Sequence, residues 1–188
     1  NALKRNVHLD RIVENIYYEK EIGGRIPSPN GCWVSATHQT LLHDGNRVLP
    51  PRATSFFLLT EESEGRRVVL PAAMFPHNNR LRVLHLSWCT FSFTSPPFFF
   101  CSHLRFLLLD HCTDVREEKH QSNNQSGSCI QKLWVLDLRY TDWYSKTMMC
   151  LMDELRELNV ETDKDWMSIV DRCGNRTSLV KLRVATDT

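Results

Sequence analysis

The sequence predicts an α/β solenoid, a stack of turns with parallel strands along one side and helices or irregular loops along the other, and three observations predict it. The first is an echo: LRVLHLSWC runs from Leu81 to Cys89 and LRFLLLDHC from Leu104 to Cys112, aliphatic at positions one, four and six and cysteine at nine. The second is its continuation as LWVLDLRYT from Leu133, LRELNVETD from Leu155 and LVKLRVATD from Leu179, at intervals of 23, 29, 22 and 24 residues. Ordinary usage supplies about one such triplet by chance in a chain of this length, so five at near-even spacing is a repeat. The third is alternation, because Leu84 and Leu86 share one face of a strand while Val83, His85 and Ser87 share the other.

The pattern L-x-x-L-x-L-x-x-(N/C) is the leucine-rich-repeat signature, and its residues have physical tasks. One strand cannot shield its leucines, but stacked turns build a continuous apolar column. The expected shape is therefore a horseshoe with a parallel concave β-sheet and an irregular helix and loop convex side. Position nine lies where the strand bends away, and a small side chain with a donor there satisfies the backbone of the turn. Cys89, Cys112 and Thr141 suit that task, whereas the carboxylates Asp163 and Asp187 do not. The signature also asks for an apolar residue two positions later, which Phe91 and Trp143 supply and Asp114 and Asp165 do not.

Along the chain, Leu9, Ile12, Val13, Ile16 and Tyr17 fall on one face of a helix that Gly23-Gly24 would end. With RIPSPNG and DGNRVLPPR as punctuation, residues 1–50 read as a helix plus irregular connection, a cap or the remnant of a preceding domain. Residues 51–188 read as the repeat domain. ATSFFLL at 53–59 is the strand of an imperfect first repeat, and Val68, Val69 and Leu70 form another short strand before a turn at Pro71. FSFTSPPFFFCSH carries two prolines and cannot be a long helix; Phe91, Phe93, Phe98, Phe99 and Phe100 are its candidates for the interior. Asp114 to Ser128 is polar and reads as an exposed inserted loop. SKTMMCLMDE and KDWMSIVDRCGN read as helices, the second ended by Gly174. Thr188 follows directly on the fifth strand with no capping turn, as in a piece of something longer.

Composition narrows the function. A formal net charge of +1, from 23 basic and 22 acidic residues, leaves no footprint for nucleic acid or an anionic membrane. No run of about eighteen apolar residues exists to span a bilayer, and NALKRNVHLD lacks the pattern of a secretory signal. Seven cysteines, an odd number, fit reduced thiols in a cytoplasmic setting better than a disulfide scaffold. Asn124-Gln-Ser126 and Asn175-Arg-Thr177 are glycosylation triplets, which arise often by chance. Cys101, His103, His111 and Cys112 cluster in sequence but belong to different faces, so neither a zinc site nor a Cys/His catalytic pair is expected. Cys89 and Cys112 share a column where a disulfide could reach, with two buried thiols the favoured alternative. Glu61-Glu62 and Glu117-Glu118 read as solvated loop charges. No catalytic, cofactor-binding or metal residue is expected, and no cofactor in this chain.

The expected work is protein binding on the concave face. Its candidate residues are His85, Trp88, Phe106, Leu108, Asp110, His111, Asp137, Arg139, Tyr140, Asn159, Glu161 and Arg183. Strands in neighbouring turns lie about 4.8 Å apart, so Trp88, His111 and Tyr140 should form one aromatic row and Asp110, Arg139 and Glu161 a row alternating in sign. Aromatics flanked by charge are the usual make-up of a protein-binding surface.

PRATSFFLLTEE, LRVLHLSWCTFSFTSPPF, CSHLRFLLLDHC, LWVLDLRYTDWY and MMCLMDELRELNV together resemble the leucine-rich-repeat region of plant nucleotide-binding disease-resistance receptors, particularly those of grasses. The resemblance covers about Leu49 to the end and includes return segments as well as strands. It implies an intracellular sensor in plant defense that detects a pathogen effector or a guarded host protein and restrains an adjacent nucleotide-binding switch domain. No G-x-x-x-x-G-K-(S/T) phosphate loop occurs, so the resemblance implies a sensor without its own ATPase. Two other classes use the same solenoid. A ubiquitin-ligase substrate adaptor would need an F-box-like helical module, for which the single helix from Leu9 to Tyr17 is too little. An extracellular receptor ectodomain would carry G-x-I-P after each repeat, and GRIP at Gly24 to Pro27 occurs once, outside the repeats.

Overall fold

A computed structural model of the chain describes residues 33–36, 53–59, 67–72, 74–75, 80–115, 130–143, 151–163 and 178–186. Ten strands lie among them: β1 Trp33–Ala36, β2 Ser55–Leu58, β3 Val68–Val69, β4 Val83–Ser87, β5 Cys89–Phe91, β6 Phe106–Asp110, β7 Thr113–Asp114, β8 Val135–Arg139, β9 Glu157–Thr162 and β10 Lys181–Thr186. Seven of them form one parallel sheet in the order β1-β2-β4-β6-β8-β9-β10, and β3-β5-β7 form a second. The protein is a parallel-strand solenoid.

Each strand advances the same pattern by one turn, and the register shows it. Phe56, Leu84, Leu107, Leu136, Leu158 and Leu182 are partners in one line, and Leu58, Leu86, Leu109, Leu138, Val160 and Val184 in the next. Together with Leu81, Leu104, Leu133 and Leu155 these side chains make one continuous core, buried from β2 to β9. At β10 the burial weakens, with Leu182 and Val184 only half-buried. The repeats read in the sequence are thus the turns of the solenoid.

The backbone ties adjacent turns just before each strand. The carbonyl of Thr54 accepts from both Arg82 and Val83, that of Arg82 from Arg105 and Phe106, that of Arg105 from Trp134 and Val135, that of Trp134 from Arg156 and Glu157, and that of Arg156 from Val180 and Lys181. Position two is therefore pinned in every turn.

At position eight the chain turns a corner. Trp88, His111 and Tyr140 have φ of 53°, 50° and 47°, in the left-handed region that non-glycine residues seldom enter. None of the three is β-branched. Where position eight is Thr162 or Thr186 the branched side chain disfavours that conformation, and β9 and β10 run on, extended, through it. Beyond the corner β5 and β7 pair with each other and β5 with β3, joined by Leu70 N–H to the Thr90 carbonyl at 2.9 Å and by the Thr90 and Thr113 hydroxyls at 3.0 Å.

The return segments depart from expectation in places. Phe91 and Phe98 are fully buried and Trp143 packs edge-on against Phe98 at 5.4 Å. Phe93 and Phe99 are half-buried, and Phe100, the last residue of the turn at 97–100, is exposed. Asp114, expected to open a loop, is the second residue of β7, and its carboxylate accepts the Phe93 N–H at 2.8 Å. Trp33–Ala36, within the stretch read as helix plus irregular connection, is the first strand of the main sheet. Among the described residues there is no helix; Leu151 to Glu154, the end of one expected helix, is a turn. The expected helices at Leu9–Tyr17 and 164–175, and the loop beyond Val115, lie outside the described residues.

Candidate functional site

The sheet face away from the core carries three columns. Ser55, Val83, Phe106, Val135, Glu157 and Lys181 form the first; Phe57, His85, Leu108, Asp137, Asn159 and Arg183 the second; Ser87, Asp110, Arg139, Glu161 and Ala185 the third. Reading across the strands, the character changes from apolar near β2 to charged near β10.

The apolar half is closed. Phe57 and Leu59 form a small buried cluster with Val83 against it, and the Ser87 hydroxyl donates to the Leu58 carbonyl at 3.0 Å. His85, edge-on to Phe57 at 6.4 Å, is 5% exposed, and Leu108 is 6% exposed. Both were candidates for an open surface, and burial removes them from it. The outward face of a strand is not automatically a solvent face.

The charged half is paired within itself. Arg139 Nε donates to Asp137 at 3.3 Å, Lys181 Nζ meets Glu157 at 2.6 Å, and Asn159 Nδ2 donates to the same Glu157 oxygen at 3.3 Å. Burial pushes the Asp137 carboxyl up even with Arg139 beside it. For Arg139 burial opposes the charge, but Asp137, Asp110 and Glu161 outweigh it and raise its pKa. Arg139 and Arg183 are the exposed members; Phe106, Asp110, Asp137, Asn159 and Glu161 are half-buried.

Beside the third column runs the aromatic row. Trp88 and His111 stack at 4.2 Å with planes 12° apart, and His111 lies 4.6 Å from Tyr140. The Arg67 guanidinium caps one end, 5.1 Å from the Trp88 ring, and also donates to the His111 carbonyl. At the other end the Tyr140 hydroxyl donates to Glu161 at 3.0 Å. His111 Nδ1 is 2.7 Å from Asp110. The expected aromatic and charged rows are both present, but the rings face one another, so both faces of His111 are covered by its neighbours. Arg67 is a member the sequence reading missed, since nothing in its own stretch marks it.

Position nine forms a ladder under this row. Cys89 Sγ donates to the Ser87 carbonyl, Cys112 Sγ to those of Leu86 and Asp110, and the Thr141 hydroxyl to those of Leu109 and Arg139. Thr141 Oγ1 in turn accepts the Cys112 N–H at 2.9 Å. The task inferred for small donors at this position is the one they perform. Cys89, Cys101 and Cys112 are buried free thiols, and hydrogen bonding to Cys112 together with burial pushes the Cys89 thiol up. Buried with their Sγ atoms on backbone carbonyls, these thiols are part of the packing. Cys101 donates to the Phe75 carbonyl, His103 is exposed and His111 is in the stack, so the sequence cluster is divided among elements. Among the described residues no group of three His, Cys, Asp or Glu side chains could hold a metal ion. No helix among them is long and apolar enough to cross a membrane.

His85 has a measurable consequence. Burial, reinforced by Arg139 and opposed by Asp110, lowers its pKa to about 4, and neither ring nitrogen has a hydrogen-bond partner. An unfolded histidine takes its proton near pH 6.5. Between the two values the unfolded chain binds more protons, so stability falls as the pH drops from about 6.5 to about 4 and levels below that, a loss of about 3 kcal/mol. His85→Leu is expected to abolish this acid sensitivity and to keep or raise stability at neutral pH, because two unpaired nitrogens disappear into an apolar cluster. Urea midpoints at about pH 7 and about pH 4.5 decide it; an unchanged acid loss in the variant would acquit His85.

Comparison with protein-family models, with curated proteins and with solved structures gave no match.

Proposed function

We propose that this solenoid is a leucine-rich-repeat horseshoe and that it serves as the protein-recognition region of an intracellular plant immune receptor, binding a pathogen effector or host protein and regulating an adjacent nucleotide-binding switch domain in defense. The observation that carries the reading is the position-nine ladder beneath an ordered outer face: Cys89, Cys112 and Thr141 satisfy the corner in three successive turns, the task the repeat signature gives that position. Arg139 and Arg183 stand exposed on that face, with Asp110, Asp137 and Glu161 half-buried around Arg139. A rigid sheet with charged, outward side chains at fixed spacing suits a macromolecular partner better than a small substrate. The receptor class rests on the sequence resemblance.

Two experiments test this reading. A two-hybrid screen against effector and host libraries should yield partners whose binding drops roughly tenfold or more in Arg139→Glu/Arg183→Glu, since reversing two interface charges turns attraction into repulsion. Partners indifferent to that change would place recognition elsewhere. Sequencing the complete transcript upstream of Asn1 should reveal a phosphate loop; a complete transcript without one removes the receptor assignment.

A further inference from the structure

The edge of the sheet where the strands begin carries a second surface, built from position two. Arg82, Arg105, Trp134 and Arg156 occupy this column in four successive turns, each pinned by the carbonyl that accepts two N–H groups from the next turn. Trp134 is clasped between guanidinium groups, Arg105 at 5.2 Å from its ring and Arg156 at 5.0 Å. Its indole N–H donates to Glu154 at 2.9 Å, and Arg105 also donates to the Lys132 carbonyl at 2.9 Å. Arg82, Lys132 and Arg156 are exposed, and among the described residues no carboxylate pairs with them. The outer-face cations behave differently at Arg139 and Lys181, which are both paired.

We propose that this edge is a docking site for an acidic segment of a partner protein, whose carboxylates lie along the Arg82–Arg105–Arg156 column. Turns about 4.8 Å apart place the three cations within roughly 15 Å, the length of a short peptide. The guanidinium fork matches a carboxylate bidentately, and stacking on Trp134 holds two of the three forks in place before the partner arrives. A nucleic acid is disfavoured by the same stack: both faces of Trp134 are taken, so no platform remains for a base, and Glu154 stands beside it. The site is separate from the outer face and does not depend on the receptor reading.

The test is fluorescence anisotropy with the full chain and a labelled peptide of alternating glutamate and serine. The glutamate peptide should bind, weaken as salt is added, and bind far better than its glutamine counterpart. Arg82→Gln/Arg156→Gln should weaken it roughly tenfold with an unchanged thermal midpoint, while Arg183→Gln leaves it unaltered. Equal binding of the glutamine peptide, equal binding by the double variant, or tighter binding of an oligothymidine or of phosphatidylserine vesicles overturns the proposal. Should the double variant fail to fold, the unaltered protein decides: the Trp134 indole N–H resonance must shift on peptide addition and that of Trp143 must not, and a still Trp134 overturns it.

Discussion

Leu107→Ala is expected to cost about 2–5 kcal/mol of folding stability. Leu107 is fully buried and stands between Leu84 and Leu136 in the register line, on a strand hydrogen-bonded on both sides. Neither neighbouring strand can move in to fill the space without breaking its own pairing, so the cavity stays open. Leu182 occupies the same place in β10, where it is half-buried and, among the described residues, has β9 alone as a partner strand. Leu182→Ala should therefore cost under about 1.5 kcal/mol. Urea denaturation of both variants checks the contrast. Equal losses would mean that the leucine column is not one core whose depth varies along the stack.

This contrast was partly legible in the sequence. Positions one, four and six recur as aliphatics, and a two-residue alternation then says which side chains share a face. The strands from β4 to β10 in the main sheet follow from that alone. The first strand does not, because Val34 and Ala36 stand where leucines would. β2 is intermediate: Ala53 fills the leading position, fully buried, and Phe56 and Leu58 supply the rest. Of the second sheet, β3 at Val68–Val69 matches the short strand expected there, but the pairing of β3, β5 and β7 was not legible. Val68–Val69 and Thr113–Asp114 are too short to show any periodicity, and each pairs with β5; the corners at Trp88 and His111 bring β5 and β7 side by side.

For the candidate site, alternation placed the residues in columns but could not say what covers them. His85 and Leu108 share a face with Arg139 and Arg183, yet the first two are buried and the last two exposed. Stacking had the same ambiguity. Three bulky residues at position eight predict neighbours about 4.8 Å apart, and the observed spacings of 4.2 and 4.6 Å fit. Only the interplanar angles, 12° and 30°, show that the rings lie over one another, and the positive φ at each shows that the chain turns there. These rings are consequently part of what holds the corner.

Thr141→Val is expected to cost about 1–3 kcal/mol, although it keeps the shape of the side chain. The Thr141 hydroxyl works in two directions, accepting the buried Cys112 N–H at 2.9 Å while donating to the Arg139 carbonyl at 2.9 Å and lying 3.3 Å from that of Leu109. Valine offers neither, and the Cys112 amide is then left without an acceptor in a place where water does not enter. Thr141→Ser keeps the hydroxyl and loses one methyl group, so it should cost only about 1 kcal/mol. The order serine above valine separates the hydrogen bond from the packing, since hydrophobic burial alone would rank them the other way. Amide exchange at Cys112 adds a local readout, expected to quicken in the valine variant. If valine proves as stable as threonine and the Cys112 amide stays protected, position nine is filler, and the corners of this solenoid are held by the stacked rings above them.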